Sequence, residues 1–192
     1  MKARQWQRLL SEQLKVGKVL FTLTELANAA GVPRGAVNVE MTRLVKYGVV
    51  ARYAKGLYGL SGSAILPDQL LLSVDPHAYI TGAYSLMHHG FITQVPTVIT
   101  CFTTRRHYRR EMQTPIGRFE FVCIKPPIYQ CEERALARPE QALCDFLYIT
   151  LRRGMDPASL LTFRRLNDLK RSVLARTAKR YPATVCRQLA AL

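Results

Sequence analysis

The stretch TLTELANAAGVPRGAVNVEMTRLVKYGVVARYAKGLYGL, residues 22–60, decides the reading of the chain. Thr22 and Glu25 have the spacing of a capping box, in which the hydroxyl accepts from an amide of the helix start and the carboxylate reaches back. Leu23, Leu26, Ala27 and Ala30 recur at helical spacing and form an inward face. Gly31 supplies the turn, because glycine tolerates positive φ. Pro33 suits the first turn of the next helix, where its missing N–H costs nothing. That helix is predicted over 33–47, stopped by Gly48, with Val37, Met41, Leu44 and Val45 facing inward. Its opposite face carries Gly35, Val39, Thr42, Arg43 and Lys46, with Asn38 at the edge and Arg34 at the N-terminus. Two short strands follow around a turn at Ala54-Lys55-Gly56, made basic by Arg52 and Lys55.

A helix-turn-helix followed by a basic hairpin is the pattern of a winged helix. The second helix of such a pair enters the major groove of DNA, with its N-terminal residues at base edges. Arg34 has the donors for guanine, and Asn38 suits adenine. Thr42, Arg43, Lys46, Arg52 and Lys55 are expected at phosphates, which position a protein without reading sequence. Gly35 and Val39 complete the face. It mixes small, polar and cationic residues with no large apolar patch, as a wet, basic protein–DNA interface does. Upstream, Trp6, Leu9, Leu10 and Leu14 mark an amphipathic helix ended by Gly17, and Val19-Leu20-Phe21 an extended stretch.

Charge supports the same partner. The chain has 192 residues and a net charge of +15, unevenly spread. Residues 1–66 hold 10 basic and 3 acidic side chains, 67–151 hold 8 of each, and 152–192 hold 10 and 2. Basic ends attract polyanions through counterion release. No run of apolar residues is long enough for a membrane span and MKARQWQRLLSEQ lacks the apolar core of a signal peptide, so a cytoplasmic location and no membrane contact are expected. The cysteines, 101, 123, 131, 144 and 186, are odd in number and show no C-x-x-C, which argues for reduced, mostly buried thiols.

SGSAILPDQ, 61–69, reads as a linker. The fold class is therefore α+β: a winged helix-turn-helix domain over 1–62, then a mixed α/β domain over 68–192 with basic C-terminal helices. Within the second domain a helix is predicted over 76–89, strands over 97–103 and 118–124 with a turn at Pro115-Ile116-Gly117, and a helix beginning near Pro139. The inner face of the last carries Leu143, Phe146, Leu147 and Thr150-Leu151, and the region from Pro157 onward reads as helical.

Three segments together resemble the AbiEi-type antitoxins, the regulator half of type IV toxin–antitoxin systems linked to abortive phage infection. The first is 21–60 with its Gly56-Leu57-Tyr58 ending. The second is YITGAYSLMHHGFITQVPTVITCFTTRR. The third is ALARPEQALCDFLYI, which carries Ala137, Glu140, Ala142, Leu143 and Asp145 in an A-x-x-E-x-A-L-x-D pattern. The resemblance spans roughly residues 20–155 and is weaker beyond. It implies a winged helix joined to a mixed α/β domain. It also implies binding to inverted repeats in the protein's own promoter, autoregulatory repression, and action against a nucleotidyltransferase-type toxin without a tight complex. The C-terminal domain is needed for the antitoxin activity. An inverted repeat needs two copies, so a dimer on DNA is expected.

The rest of the chain carries little catalytic chemistry. His88 and His89 point about 100° apart on a helix and cannot chelate one ion together. Glu120 and Lys125 lack the E-x-K spacing of metal-dependent nucleases and read as a solvated strand edge. Glu140 and Asp145 lie about 140° apart on their helix, so they are no acid–base pair. Glu140 suits the helix dipole, and Asp145 is expected to bond Arg138, Arg152 or a backbone amide. No catalytic residue, metal or cofactor is expected. A second nucleic-acid or antitoxicity patch is expected from Arg105, Arg106, Arg109 and Arg110 around Tyr108, and from Arg164, Arg165, Lys170 and Arg171, with Arg176, Lys179 and Arg180 extending a stripe on the last helices. Two alternatives stay open: a winged-helix adaptor that touches protein, and a nucleic-acid-processing enzyme built on the 97–125 sheet.

Overall fold

The computed structural model describes residues 3–106, 110–130 and 135–192, and its architecture is mixed α+β. The chain divides into two compact units, Met1–Val74 with Gln113–Ile116, and Asp75–Met112 with Gly117–Leu192.

In the first unit the order is α1 (Ala3–Lys15), β1 (Phe21–Thr22), α2 (Leu23–Ala30), α3 (Arg34–Lys46), β2 (Val50–Ala54), β3 (Leu57–Leu60) and α4 (Pro67–Val74). The strands form an antiparallel sheet in the order β1-β3-β2. The capping box is formed: Thr22 Oγ1 accepts from the Glu25 amide at 3.2 Å, and Glu25 Oε2 accepts from the Thr22 amide at 2.8 Å. Gly31 closes α2 at φ 64°. Pro33 is the N-cap of α3, one residue before the first turn where the sequence puts it. Val37, Met41 and Leu44 bury into a core with Trp6, Leu10, Phe21, Leu26 and Tyr58. Val45 does not, at 37% exposed. The three buried residues span about 60° of the helix, and Val45 lies about 40° beyond that stripe. Gly59 sits where the middle strand is crowded: a Cβ there would lie 2.9 Å from both Ile65 Cδ1 and the Val19 carbonyl. The first unit runs through α4, whose Leu70 and Leu71 are fully buried.

The second unit contains β4 (Tyr79–Thr81), α5 (Gly82–His88), β5 (Val98–Thr103), the first two residues of β6 (Glu111–Thr114), β7 (Gly117–Cys123) and α6 (Pro139–Arg152). They are followed by α7 (Pro157–Leu160), a 3-10 turn Leu166–Asp168, α8 (Arg171–Ala178) and α9 (Ala183–Ala190). Its sheet runs β4-β5-β7-β6, with β4 antiparallel and β7 parallel to β5. The helix expected over 76–89 is therefore a strand and then a helix. Tyr79, Ile80 and Thr81 are buried in the sheet, and Gly82 at φ 63° makes the break. Nor is β7 an edge: Glu120 lies on a strand flanked on both sides and is ion-paired with Arg153. Cys101 and Cys144 are buried thiols, with Cys144 pushed up to about 12 by burial, whereas Cys123 and Cys186 are exposed. Cys131 lies outside the described residues. Among those residues no helix is long and apolar enough to cross a membrane.

Helix α6 is buried over most of its circumference, from Glu140 through Leu147, which places it at the centre of the unit. Asp145 on it is 0% exposed. It bonds none of the groups expected from the sequence. Its carboxylate accepts instead from Thr81 Oγ1 at 2.7 Å and from Tyr181 Oη at 2.6 Å. The Tyr79 hydroxyl adjoins them outside hydrogen-bonding geometry. Glu140, also buried, accepts from the Lys170 amide at 3.0 Å.

Burial pushes the Asp145 carboxyl up to about 7, against the hydroxyl bonds that favour its charged form. The folded protein therefore holds a proton that the unfolded chain releases near pH 4. This contribution to stability is complete below that pH and is lost as the pH rises through about 7, with a slope of at most ~1.4 kcal/mol per pH unit. The urea midpoint of the wild type should fall between pH 5 and pH 8, and Asp145→Asn should remove most of that fall. An equal fall in both proteins would assign it to other groups.

Candidate nucleic-acid interface

The exposed side of α3 follows from how its buried side is spent. With Val37, Met41 and Leu44 in the core, the residues between them are turned to solvent. Arg34, Gly35, Asn38, Val39, Thr42, Arg43 and Lys46 are all exposed, as the sequence places them. The face is cationic at both ends, with Val39 its exposed apolar residue at 52%.

Local bonds refine the roles. Thr42 Oγ1 donates to the Asn38 carbonyl at 2.8 Å, so its proton is committed to its own helix and the hydroxyl is left as an acceptor. Arg43 Nη1 donates to Glu40 Oε1 at 3.0 Å, an ion pair on the helix surface. Glu40 is a carboxylate beside a face that otherwise suits an anion, and Arg43 neutralises it. Arg34, Asn38 and Lys46 have no such engagement among the described residues.

The start of α3 has no side-chain cap, because proline occupies the N-cap. The Pro33 carbonyl takes the amides of Ala36 and Val37, so those of Arg34 and Gly35 are left facing outward at the positive end of the helix dipole. A Cβ on Gly35 would meet nothing within 4 Å. Nothing inside the fold requires glycine there, although glycine weakens a helix by ~1 kcal/mol relative to alanine.

The β2–β3 hairpin turns through Lys55 and Gly56, with Gly56 at φ 74° and Ala54 paired with Leu57. A register shift between Arg52 and Ala54 bulges the strand. Arg52 and Lys55 are both exposed; Arg52 Nε donates to the Ala54 carbonyl at 3.3 Å, which orients the guanidinium and leaves its outer N–H groups to solvent.

In the second unit the structure gathers some of the expected basic residues and separates others. Arg105, Arg106 and Arg110 line one groove of about 460 Å³ with Phe121, Cys123 and Arg152. Arg109, with His107 and Tyr108, lies outside the described residues. Arg164, Arg165, Lys170 and Arg171 do not line this groove. Arg164 and Arg165 lie outside the last helices. Arg165 has φ 56° and pairs with Asp168 at 2.6 Å, Arg164 donates its amide to the Phe91 carbonyl, and both lie before α8. Arg152, not foreseen for the patch, reaches it from the end of α6, where a cation also suits the helix dipole. Sequence distance hides that approach.

No metal-ligating group of three or more His, Cys, Asp or Glu occurs among the described residues. His89 Nε2 lies 3.0 Å from the Ala137 carbonyl, a structural bond. The Cys101 thiol is held up by burial, then by Asp75 and Glu120, and is a poor nucleophile.

Gly35→Ala provides a direct test of the face. The isolated protein should gain about 0.5–1 kcal/mol, read as a thermal midpoint raised by a few degrees. A lowered midpoint would mean that Gly35 serves the fold. Compared with known proteins, the chain matches no family model, and no curated protein matches it at a significant level.

Proposed function

We propose that the first unit is a winged helix-turn-helix that binds double-stranded DNA, and that the protein is a transcriptional repressor acting on its own promoter. The observation that carries this reading is the exposed face of α3. It joins two outward helix-start amides, a glycine the fold does not need, an arginine, an asparagine and a lysine on a helix whose other side is packed. The order of α1, β1, α2, α3, β2 and β3, with a lysine at the hairpin tip, supports it. In this arrangement α3 lies in the major groove. Arg34 and Asn38 meet base edges. Gly35 lets the helix start approach the phosphate backbone, whose oxygens accept from its free amides. Lys46 and Lys55 meet phosphates on either side, and the Glu40–Arg43 pair opens so that Arg43 can do the same.

The antitoxin role rests on the resemblance of the three sequence segments to AbiEi-type proteins. In that reading the second unit counters a nucleotidyltransferase-type toxin without a tight complex, and two copies sit on an inverted repeat. A cytoplasmic location and the absence of enzymatic activity belong to the same proposal.

A gel-shift titration tests the repressor reading, using DNA from upstream of the gene and shuffled DNA of equal length at near-physiological salt. A preference of about a thousandfold or more is expected. Arg34→Ala and Asn38→Ala should each cost about 1–3 kcal/mol on the upstream DNA and less on the shuffled DNA. Lys46→Ala and Lys55→Ala should weaken both alike and lower the salt slope by about one unit. Equal losses on both DNAs for Arg34→Ala would remove it from the base contacts. No preference at all, with wild-type affinity insensitive to these changes, would favour the protein-adaptor alternative.

Glu40→Gln separates attraction from structure. It removes a surface carboxylate and frees Arg43, so affinity for both DNAs should rise severalfold and the salt slope should steepen. Unchanged affinity would place Glu40 and Arg43 outside the interface.

A further inference from the structure

A second, smaller basic pocket lies against the first turn of α6, apart from the groove of Arg105 and Arg106. Its volume is about 250 Å³, and its walls include Gln130, Arg138, Gln141, Arg176, Thr177 and Arg180. Among the described residues no carboxylate lines it. Arg176 lies in the last turn of α8 and Arg180 just beyond the helix end, and both line the pocket. Both are exposed, and neither has an ion-pair partner among the described residues.

The polar groups around these cations are donors in surplus. Gln141 Nε2 donates to the Gln130 carbonyl at 2.8 Å and fixes that backbone. Gln130 Nε2 is itself buried and has no partner, a deficit that an acceptor entering the pocket can fill. Arg138, the N-cap of α6, and Gln141 in its first turn both reach the pocket wall. Each feature alone has a structural explanation. Together they place two guanidinium groups and an unsatisfied amide N–H around one space that no carboxylate lines among the described residues. A carboxylate offers two oxygens. A phosphate monoester offers three and a second negative charge, and guanidinium groups match it in planar, paired bonds. The volume lies below the range of drug-sized ligand sites, about 300–1,000 Å³, and suits a phosphate with a small attached group.

We propose that this pocket binds a phosphate-monoester dianion, either inorganic phosphate or the phosphoryl group of a small phosphorylated molecule. Arg176 and Arg180 provide the charge, and the Gln130 amide takes one oxygen. The inference stands apart from the DNA reading, because its test contains no DNA.

The experiment is thermal unfolding of the full chain at constant ionic strength, titrated with inorganic phosphate, a ribonucleoside 5′-monophosphate, the unphosphorylated nucleoside and dimethyl phosphate. At ten times its Kd a bound ligand should raise the midpoint by about 2–5 °C. Inorganic phosphate and the monophosphate should do so, while the nucleoside and the monoanionic diester should not. A larger rise with the monophosphate than with phosphate identifies a phosphorylated small molecule as the source, and equal rises identify free phosphate. R176Q/R180Q, both at exposed positions, should unfold near the wild-type midpoint without ligand and lose at least tenfold in apparent affinity. Gln130→Leu should keep the fold and weaken binding severalfold. No rise with phosphate or monophosphate up to about 10 mM, an unchanged rise in R176Q/R180Q, or an equal rise with dimethyl phosphate would overturn the proposal.

Discussion

A carboxylate without water organises the second unit. Asp145 is on the central helix, and the two hydroxyls that bond it come from positions 64 residues before and 36 residues after it. Burying a carboxylate is costly unless its lone pairs are met, so the fold is constrained to bring strand β4 and Tyr181 to the same point. Once they are there, α8 must cross α6, and Glu140 meets the Lys170 amide one turn earlier on the same helix. The path of the chain from 135 to 181 is thus set by two acids with a single-sided demand for donors.

The first unit is governed by a different economy. Its polar demands are met within a few residues, by Thr22 with Glu25 and by Gly31 with the carbonyls of Ala27 and Asn28. Apolar packing of Trp6, Leu10, Val37, Met41 and Leu44 does the rest. Because the core takes only a narrow stripe of α3, most of that helix is left over. The proposed function uses this remainder, and Gly35 is its most informative member: its cost to the helix has no return inside the protein.

That contrast explains what could be read from the sequence. Caps, turns and one-sided helices are encoded by residues three or four apart, so the elements from Thr22 to Leu60 and the solvent face of α3 were legible. The second unit obeys longer rules. Tyr79-Ile80-Thr81 continues an apolar pattern into what resembles a helix, and only its pairing with Phe102, Cys101 and Thr100 makes it a strand. Asp145 seemed to need an arginine, because the nearest donors in sequence are arginines; its real donors are far away. Arg152 in the groove and Arg138 beside Arg176 and Arg180 are similarly invisible to spacing. Thr42 and Arg52 also make local bonds to backbone carbonyls that spacing does not reveal.

The bond from Tyr181 to Asp145 also sets an order of events during synthesis. The cluster that packs α3 draws its buried residues from Trp6 to Tyr58, so it can form early. Asp145 emerges 36 residues before the tyrosine that satisfies it. At ribosomal rates of about 5–20 residues per second, this gap lasts roughly two to seven seconds. During that interval the centre of α6 carries an acid that prefers water among residues that prefer to leave it. The second unit must wait, open at its middle, while α3 has already emerged with the residues it packs against.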